Sequence, residues 1–235
     1  MEQSTIFETQ DGSHSMLSKV YGVSYHSKYG AIQESRHVFI EAGLYFKALQ
    51  QKEIAVLELG FGTGLNAFLT LLASEKHGWQ IHYETIEAYP ISIEQAGALN
   101  YPVILEVQPL QGLFHQMHTS DWNTIHSLTS AFHFQKVNAR FESIAYQNRF
   151  DLIYFDTFPP DTQPELWELP LLQAMYDALR PNGVLVTYCA KGIVKRRLKN
   201  VGFQVESPPG PPGKREMTRA IKAVRAENRE VRKST

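Results

Sequence analysis

The chain has 235 residues, of which 43% are hydrophobic, and this is enough to bury one full core. It contains no uninterrupted apolar run of about 18 residues and no apolar signal core near its N-terminus, so we expect no membrane span, no export and a cytoplasmic location. The single cysteine, Cys189, excludes an internal disulfide, and the nine scattered histidines lack metal-ligand spacing, so we expect no metal site.

The net charge of −1 conceals an uneven distribution along the chain. Residues 186–235 contain 13 Lys and Arg against 4 Glu, whereas residues 1–185 contain 10 Lys and Arg against 20 Asp and Glu. A basic end on an acidic protein is typical of a surface that binds a polyanion, with nucleic acid as the first candidate. The alternative is a solvated helix face followed by a frayed tail, and we favour this alternative for residues 225–235.

Strand and helix patterns alternate after an N-terminal segment that ends near Gln51, which predicts parallel βαβ units. The predicted strands cover residues 54–59, 81–87, 131–139, 150–156 and 183–189. We expect helices from about Leu65, from Tyr89-Pro90 and over residues 169–179, and a mostly helical pattern between the second and third strands. Residues 204–206 and 220–224 flank a loop rich in proline and glycine, which suggests a terminal hairpin.

This pattern predicts an α/β fold with a doubly wound, mostly parallel sheet and an N-terminal extension. The expected organisation is an extension packed on the core over residues 1–51, a Rossmann-like domain over residues 52–225 and a basic tail over residues 226–235. In such sheets, ligands bind beyond the carboxyl ends of the strands. The residues that follow each strand are therefore the first candidates for a site.

A glycine-rich turn follows the first predicted strand, in the sequence Glu58-Leu59-Gly60-Phe61-Gly62-Thr63-Gly64-Leu65-Asn66. The dinucleotide fingerprint requires its third glycine three residues after the second, whereas Gly64 follows Gly62 by two. The acid Glu58 stands where a pyrophosphate would bind, and its negative charge suits a ligand with a cationic or ammonium group. The turn therefore favours S-adenosylmethionine over NAD, although a glycine turn without a ligand remains the alternative.

Two acids end later strands. Glu87 lies 27 residues after Gly60, where a carboxylate can accept hydrogen bonds from both ribose hydroxyls, and we prefer it to Glu84, which points to the opposite face of the strand. A solvated loop carboxylate is the other interpretation of Glu87. Asp156 ends the fourth strand and is the candidate catalytic residue, with a helix N-cap as its alternative.

The chain resembles the methyltransferase domain of the MnmC family of tRNA wobble-uridine modifying enzymes over about residues 25–223. The resemblance rests on the glycine turn and on separated motifs: Glu34-Ser35-Arg36-His37-Val38-Phe39, Glu87-Ala88-Tyr89-Pro90, Tyr154-Phe155-Asp156-Thr157-Phe158-Pro159-Pro160, Pro164-Glu165-Leu166-Trp167 and Gly213-Lys214-Arg215-Glu216-Met217. The Asp-x-Phe-x-Pro segment and the late Lys-Arg-Glu-Met are more specific than the glycine turn, which many methyltransferases share.

The resemblance implies a Rossmann-like methyltransferase that uses S-adenosylmethionine to methylate the aminomethyl group of 5-aminomethyl-2-thiouridine in the tRNA anticodon loop. It also implies the stand-alone form, without the FAD-dependent oxidase domain of bifunctional members, so that a separate enzyme would supply the aminomethyl precursor. Cofactor contacts are expected from Glu58, Gly60, Gly62, Thr63, Gly64, Asn66, Glu87, Ala88, Asn138 and Asp156. Asn138 departs from the family, which has an Asp that contacts the adenine amine; an asparagine can still accept that hydrogen bond.

Asp156 is expected to orient the acceptor amine and to offset the charge that develops on nitrogen, as a positioning group more than as a strong base. Aromatic residues are expected to line the pocket or stack on a splayed base, and basic residues to contact phosphates. The alternatives are a core position for each aromatic residue and a solvated helix for residues 195–199. The candidates for tRNA are Phe158, Tyr188, Lys191, Lys195, Arg196, Arg197, Lys199, Lys214 and Arg215. A methyltransferase for a small-molecule or protein amine, and a non-catalytic RNA-binding relict, remain alternative functions.

Overall fold

The N-terminal segment begins with an antiparallel hairpin of strands β1 (Thr5–Glu8) and β2 (His14–Leu17). The coordinates are those of a computed structural model, which describes residues 5–224. Asp11, in the turn between these strands, accepts hydrogen bonds from the backbone N–H groups of Ser13 at 3.0 Å and Gln33 at 2.9 Å. Because Gln33 lies in the next helix, this carboxylate fastens the hairpin to that helix.

A continuous helical segment follows, formed by α1 (Ala31–Ser35), a π-helical stretch (Arg36–Tyr45) and α2 (Phe46–Ala48). A Cβ atom added to Gly43 would lie 3.0 Å from Cγ2 of Val186 in the sheet, so the glycine permits the close approach of the two layers. The ring of Phe39 packs against Tyr154 with centroids 5.2 Å apart. The segment before the first predicted strand therefore shares the core of the sheet.

The main sheet has eight strands in the order β5-β6-β4-β3-β7-β8-β10-β9. The ladders that join β6, β4, β3, β7 and β8 are parallel, and those of β5 with β6 and of β10 with both of its neighbours are antiparallel. The bounds are β3 (Glu53–Leu59), β4 (Gln80–Ile86), β5 (Ile125–Ser127), β6 (Phe132–Val137), β7 (Phe150–Phe155), β8 (Leu179–Thr187), β9 (Gln204–Glu206) and β10 (Thr218–Ile221).

Helices connect these strands. They are α3 (Leu65–His77), α4 (Ile93–Gly97), α5 (Tyr101–Ile104), α6 (Gln111–Thr119), α7 (Leu169–Ala178) and α8 (Gly192–Asn200), with short 3-10 turns at Gln108–Leu110, Phe141–Ser143 and Pro164–Trp167. Alternate residues of β3 pack into different clusters: Val56 joins the cluster around Phe39, and Leu57 joins the cluster around Trp167. The central strands are thus buried on both faces, as a parallel sheet requires.

The predicted α/β class, the doubly wound and mostly parallel sheet, and the terminal hairpin are confirmed. The predicted helix start at Tyr89-Pro90 is wrong, because Ser92 caps α4 in a reciprocal capping box with Gln95. Residues 101–130, predicted as mostly helical, also contain the edge strand β5. The strand predicted from residue 183 begins earlier, because β8 starts at Leu179, directly after α7 ends at Ala178.

The boundaries of the predicted domains stay a prediction, and the expected basic tail at residues 226–235 lies outside the described part of the chain. Between Thr5 and Val224, no helix has the length and apolar character needed to cross a membrane. Within the same residues, no cluster of three or more His, Cys, Asp or Glu side chains is placed to bind a metal ion.

Candidate active site

A cavity of about 1270 Å³ opens at the carboxyl ends of the central strands. The chain order reverses between β3 and β7, which are neighbours in the sheet although they are distant in sequence. Gly60 follows β3 and Asp156 follows β7, and the backbone N–H of Asp156 donates to the carbonyl of Leu59 at 3.3 Å. This is the topological switch point at which doubly wound sheets bind their ligands.

The glycine turn forms one wall of the cavity. Gly60 has φ 93°, and a Cβ atom there would lie 2.8 Å from the carbonyl oxygen of Asp156. Gly62 has φ 51°, and its Cβ would approach the ring of Tyr25 at 3.2 Å. Both positions therefore need glycine, for their backbone conformation and for the space that the turn leaves free.

Glu87 stands at the end of β4, directly opposite this turn. Its carboxylate accepts hydrogen bonds from the backbone N–H groups of Gly62 at 3.2 Å and Tyr89 at 2.8 Å. Burial raises the pKa of Glu87, and these N–H groups counter the rise. A carboxylate has about four acceptor positions, so Glu87 retains capacity for two ligand hydroxyl groups. Glu84 is occupied elsewhere, by Tyr146 and by the Arg149 guanidinium at 2.5 Å.

Asp156 is held by Asn66 from the first turn of α3, whose side-chain nitrogen donates to its carboxylate at 2.8 Å. No helix begins at Asp156, and the next helical turn starts at Pro164, so the N-cap alternative is wrong. Burial raises the pKa of Asp156 to about 7; the Asn66 hydrogen bond lowers it, the Glu34 carboxylate raises it and the Lys214 ammonium lowers it. The carboxyl group can therefore exchange a proton near neutral pH.

Glu34 and Lys214 form an ion pair in the same cavity; the sequence gave Glu34 no role and predicted Lys214 as a phosphate contact. The Lys214 ammonium donates to Glu34 at 2.6 Å and lies 4.2 Å from the centre of the Tyr188 ring. The second oxygen of Glu34 accepts from the Ser27 backbone N–H at 2.7 Å. Both residues belong to motifs that carry the family resemblance, so those motifs were the signal available in the sequence.

The position of the Glu58 side chain differs from the cofactor contact predicted for it. Its side chain is fully buried, lies outside the cavity lining, and makes no hydrogen bond with sound geometry through either oxygen. Burial raises its pKa to about 8, and the nearby polar side chains of Thr85 and Asn66 only partly counter this. The raised pKa favours the neutral form of the carboxyl group, whereas the sequence predicted a negative charge beside the ligand.

Two other predicted cofactor contacts lie beside the cavity instead of on its wall. Gly64 caps α3 with φ 75°, and its missing side chain makes room for His118, at 2.8 Å from an added Cβ. Asn138 is exposed, and its side-chain nitrogen donates to the carbonyl of Glu87 at 3.3 Å. The remaining predicted cofactor contacts line the cavity: Gly60, Gly62, Thr63, Asn66, Glu87, Ala88 and Asp156.

Aromatic side chains form another part of the lining. Phe158 contacts Tyr21, with centroids 5.0 Å apart, and Tyr25, at 5.3 Å. Tyr188 donates its hydroxyl to the carbonyl of Thr157 at 2.8 Å. The sequence singled out Phe158 and Tyr188 and missed Tyr21 and Tyr25, which come from the N-terminal segment and carry no motif.

Six of the seven predicted phosphate contacts lie outside the cavity lining, and they fall into two groups. Three are paired with acids and lie outside the cavity lining: Lys191 with Asp161, Lys195 with Glu216 at 2.9 Å and Arg197 with Glu168 at 2.7 Å. The other group is exposed and has no ion pair within residues 5–224: Arg196, Lys199 and Arg215. Only Lys214 of the predicted tRNA cations lines the cavity.

Comparison with known proteins is consistent with this geometry. A model of the S-adenosyl-L-methionine-dependent methyltransferase family matches residues 111–223. A bifunctional MnmC protein of Aromatoleum aromaticum, named for tRNA 5-methylaminomethyl-2-thiouridine biosynthesis, is 30% identical over 226 residues, which cover 90% of this chain and 34% of that protein. The crystal structure of MnmC2 from Aquifex aeolicus matches with TM-score 0.73 and 26% identity over 96% of this chain and 72% of that one.

Over at least nine-tenths of its length the chain is therefore similar to MnmC proteins, and its second half matches the S-adenosyl-L-methionine-dependent methyltransferase family. It spans about a third of the length of the bifunctional relatives that it matches. S-adenosylmethionine is the methyl donor of this family, and the glycine turn with Glu87 fits its nucleoside. Spermidine synthase from Thermotoga maritima, at 15% identity and TM-score 0.51 over 94% of this chain and 70% of that one, shares the fold.

Proposed function

We propose that this methyltransferase acts on the aminomethyl group of 5-aminomethyl-2-thiouridine, or of its unthiolated form, at the wobble position of tRNA. The observation that carries the proposal is Asp156, with a pKa of about 7, at the switch point of a cavity whose glycine wall fits the methyl donor. The relatives named for this modification support the choice of acceptor.

The size of the cavity supports a second ligand beside the donor. Ligand pockets commonly measure roughly 300–1,000 Å³, and this one is larger at about 1270 Å³. The glycine turn and Glu87 lie on one part of the wall, and Phe158 with Tyr21 lies on another. We assign the first part to the donor and the aromatic part to the acceptor base, because aromatic faces commonly stack on splayed bases.

When bound, S-adenosylmethionine supplies a methyl group on a sulfonium, which an unprotonated amine attacks in line. The protein must therefore fix the amine and the cofactor in one orientation and keep the amine free of its proton. Asp156 is suited to orient the amine, and Asn66 holds the carboxylate in place at 2.8 Å. With its pKa near 7, Asp156 can also take up the proton that the methylated amine releases.

The exposed cations Arg196, Lys199 and Arg215 are the proposed phosphate contacts, because none of them is in an ion pair within residues 5–224. A tRNA substrate is consistent with the cytoplasmic location that the sequence predicts. A separate enzyme would then supply the aminomethyl precursor, since methylation of an amine needs that amine to be present first.

The experiment compares two acceptors: tRNA that lacks the methyl group at its wobble base, and the free 5-aminomethyluridine nucleoside. We expect methyl transfer to the wobble base of the tRNA, with a kcat/KM far above that for the nucleoside, since only the tRNA offers phosphates to the basic surface. Equal turnover of both would remove any role for that surface. Turnover of neither would contradict the proposal.

A further inference from the structure

Glu34 and Lys214 meet in the cavity although 180 positions separate them in the chain. Glu34 lies in α1 and is only 7% exposed, and Lys214 lies in the loop that precedes β10. Pairing in a partly desolvated place offers little net stabilisation, because the loss of hydration offsets much of the attraction between the charges. Stability alone is therefore a weak reason for this pair.

Its position gives a stronger reason. Both residues line the same cavity as Asp156, and Asp156 is influenced by both, with opposite signs. Lys214 is fixed from two sides, by the carboxylate of Glu34 at 2.6 Å and by the face of Tyr188 at 4.2 Å. Glu34 is fixed in turn by the Ser27 backbone N–H at 2.7 Å. The Lys214 ammonium group is therefore held at a defined position, unlike the charge of a flexible surface lysine.

We propose that Glu34 and Lys214 are a positioning pair that sets the protonation of Asp156 and of the acceptor amine, with Glu34 favouring the protonated form of each group and Lys214 favouring the carboxylate and the neutral amine. This inference rests on the proposed function. The role that it gives Lys214 differs from the phosphate contact that the sequence predicted for this residue. Neither residue needs to touch the reacting atoms.

The reaction shows why control over these two protonation states matters. The amine nitrogen forms a bond to the methyl carbon as the bond from carbon to sulfur breaks, and the electron pair of that bond leaves with the sulfur. The nitrogen then carries a positive charge, and one of its protons passes to the carboxylate of Asp156 and from there to water. A protonated amine cannot attack, and a protonated Asp156 cannot take up the proton. A nearby cation disfavours the protonated form of both groups.

Other titratable groups face the pair. His26 beside Glu34 is half-buried, and desolvation lowers its pKa to about 4, so it is neutral at neutral pH. Burial raises the pKa of Tyr188 well above its usual value, and the thiol of Cys189 has a raised pKa for the same reason. Burial raises the pKa of Glu58, which interacts with Asp156, and so favours the neutral form of Glu58. Near pH 7, Asp156, Glu34 and Lys214 therefore carry the local charge balance.

The test compares four variants of the full chain: Lys214→Met, Lys214→Arg, Glu34→Gln and the control Lys222→Met. Lys222 bonds the carbonyl of Leu179 at 2.7 Å and does not line the cavity. The first measurement is the pH dependence of kcat with saturating cofactor and tRNA, which reports the groups of the bound complex. The second is a pH titration of the Asp156 carboxyl in the free enzyme by ¹³C NMR, assigned with Asp156→Asn.

We expect Lys214→Met to move the acidic limb of kcat and the NMR midpoint to higher pH, because the Lys214 ammonium lowers the pKa of Asp156. Glu34→Gln should move both to lower pH. Lys214→Arg should keep the wild-type midpoint, and Lys222→Met should leave both midpoints where they are.

Shifts of the same sign in Lys214→Met and Glu34→Gln, or no shift in either, would overturn the inference and leave the pair a structural contact. The NMR titration needs no substrate. If the wild-type enzyme fails to methylate tRNA while the NMR midpoints still move in opposite directions, the proposed function has failed and the electrostatic coupling has not. Should a variant fold poorly, a shift seen in Lys214→Met and absent in Lys214→Arg still separates charge from packing.

Discussion

Replacing Asp156 with asparagine removes its charge and keeps its shape, so this variant separates catalysis from stability. In the folded protein the pKa of Asp156 is raised from 3.8 to about 7, chiefly by burial. The folded state therefore holds its proton more tightly than the unfolded chain does. Below about pH 4, Asp156 is protonated in both the folded and the unfolded state and does not change the stability. Above about pH 7 it is ionised in both states, and the full loss of stability is present.

The size of that penalty follows from the two pKa values. At about 1.36 kcal/mol for each pKa unit, ionised Asp156 destabilises the fold above pH 7 by on the order of 4 kcal/mol. Asp156→Asn should therefore raise the free energy of unfolding at pH 8 by a few kcal/mol relative to wild type. The gain should shrink steadily as the pH falls from 7 to 4, and urea unfolding at pH 8 and pH 5 measures it.

The same variant should lose activity. A positioned acid–base group contributes roughly 10²–10⁴-fold to a rate, so kcat should fall by that factor. The Kd for S-adenosylmethionine, from calorimetry, should change much less, because the glycine turn and Glu87 are untouched. Normal turnover, or a variant less stable than wild type at pH 8, would refute the reasoning about this carboxylate.

Three further predictions concern the ligand sites. Glu87→Gln should raise the Kd for S-adenosylmethionine roughly tenfold, the equivalent of about 1.4 kcal/mol. The reason is that an amide offers one acceptor oxygen where the carboxylate offers two. An unchanged Kd in calorimetry would show that the ribose does not bind at Glu87. Gly60→Ala should abolish cofactor binding in the same assay, since the added Cβ would lie 2.8 Å from the Asp156 carbonyl; retained binding would show that the turn can shift. Changing both Arg196 and Lys199 to Glu should weaken tRNA binding. It should also reduce the slope of the logarithm of the tRNA binding constant against the logarithm of salt concentration by roughly 1 to 2. An unaltered slope would show that tRNA binds on another surface.

Residues at the strand ends were predictable, because they depend on local patterns. The apolar runs of β3, β4 and β7 locate their own ends, and the rule for doubly wound sheets then brings Gly60, Glu87 and Asp156 together. The order of strands in the sheet adds only that β3 and β7 are neighbours. This part of the site is therefore encoded in short stretches of sequence.

Residues that depend on tertiary packing were not predictable. Glu34 reaches the cavity only because α1 and its continuation pack on the sheet, and its partner Lys214 arrives from a loop near the other end of the chain. Tyr21 is brought to the cavity by the N-terminal hairpin and its following loop.

The charges of some side chains were also predicted wrongly, because burial or an ion-pair partner changes them. Glu58 reads as an anion in the sequence, yet burial raises its pKa to about 8. Lys195 and Arg197 read as free cations, yet Glu216 and Glu168 neutralise them. The basic end of the chain therefore presents fewer unpaired charges than its composition suggests, and Arg196 and Lys199 become the sharper candidates for tRNA.

The central claim is that this chain methylates an aminomethyl wobble uridine. Mass spectrometry of tRNA nucleosides from cells with and without the protein tests it most directly. We predict that 5-methylaminomethyl-2-thiouridine, or its unthiolated form, disappears without the protein and that the aminomethyl precursor accumulates, with recovery by wild type and not by Asp156→Asn. An unchanged nucleoside profile, or full recovery by Asp156→Asn, would contradict the account.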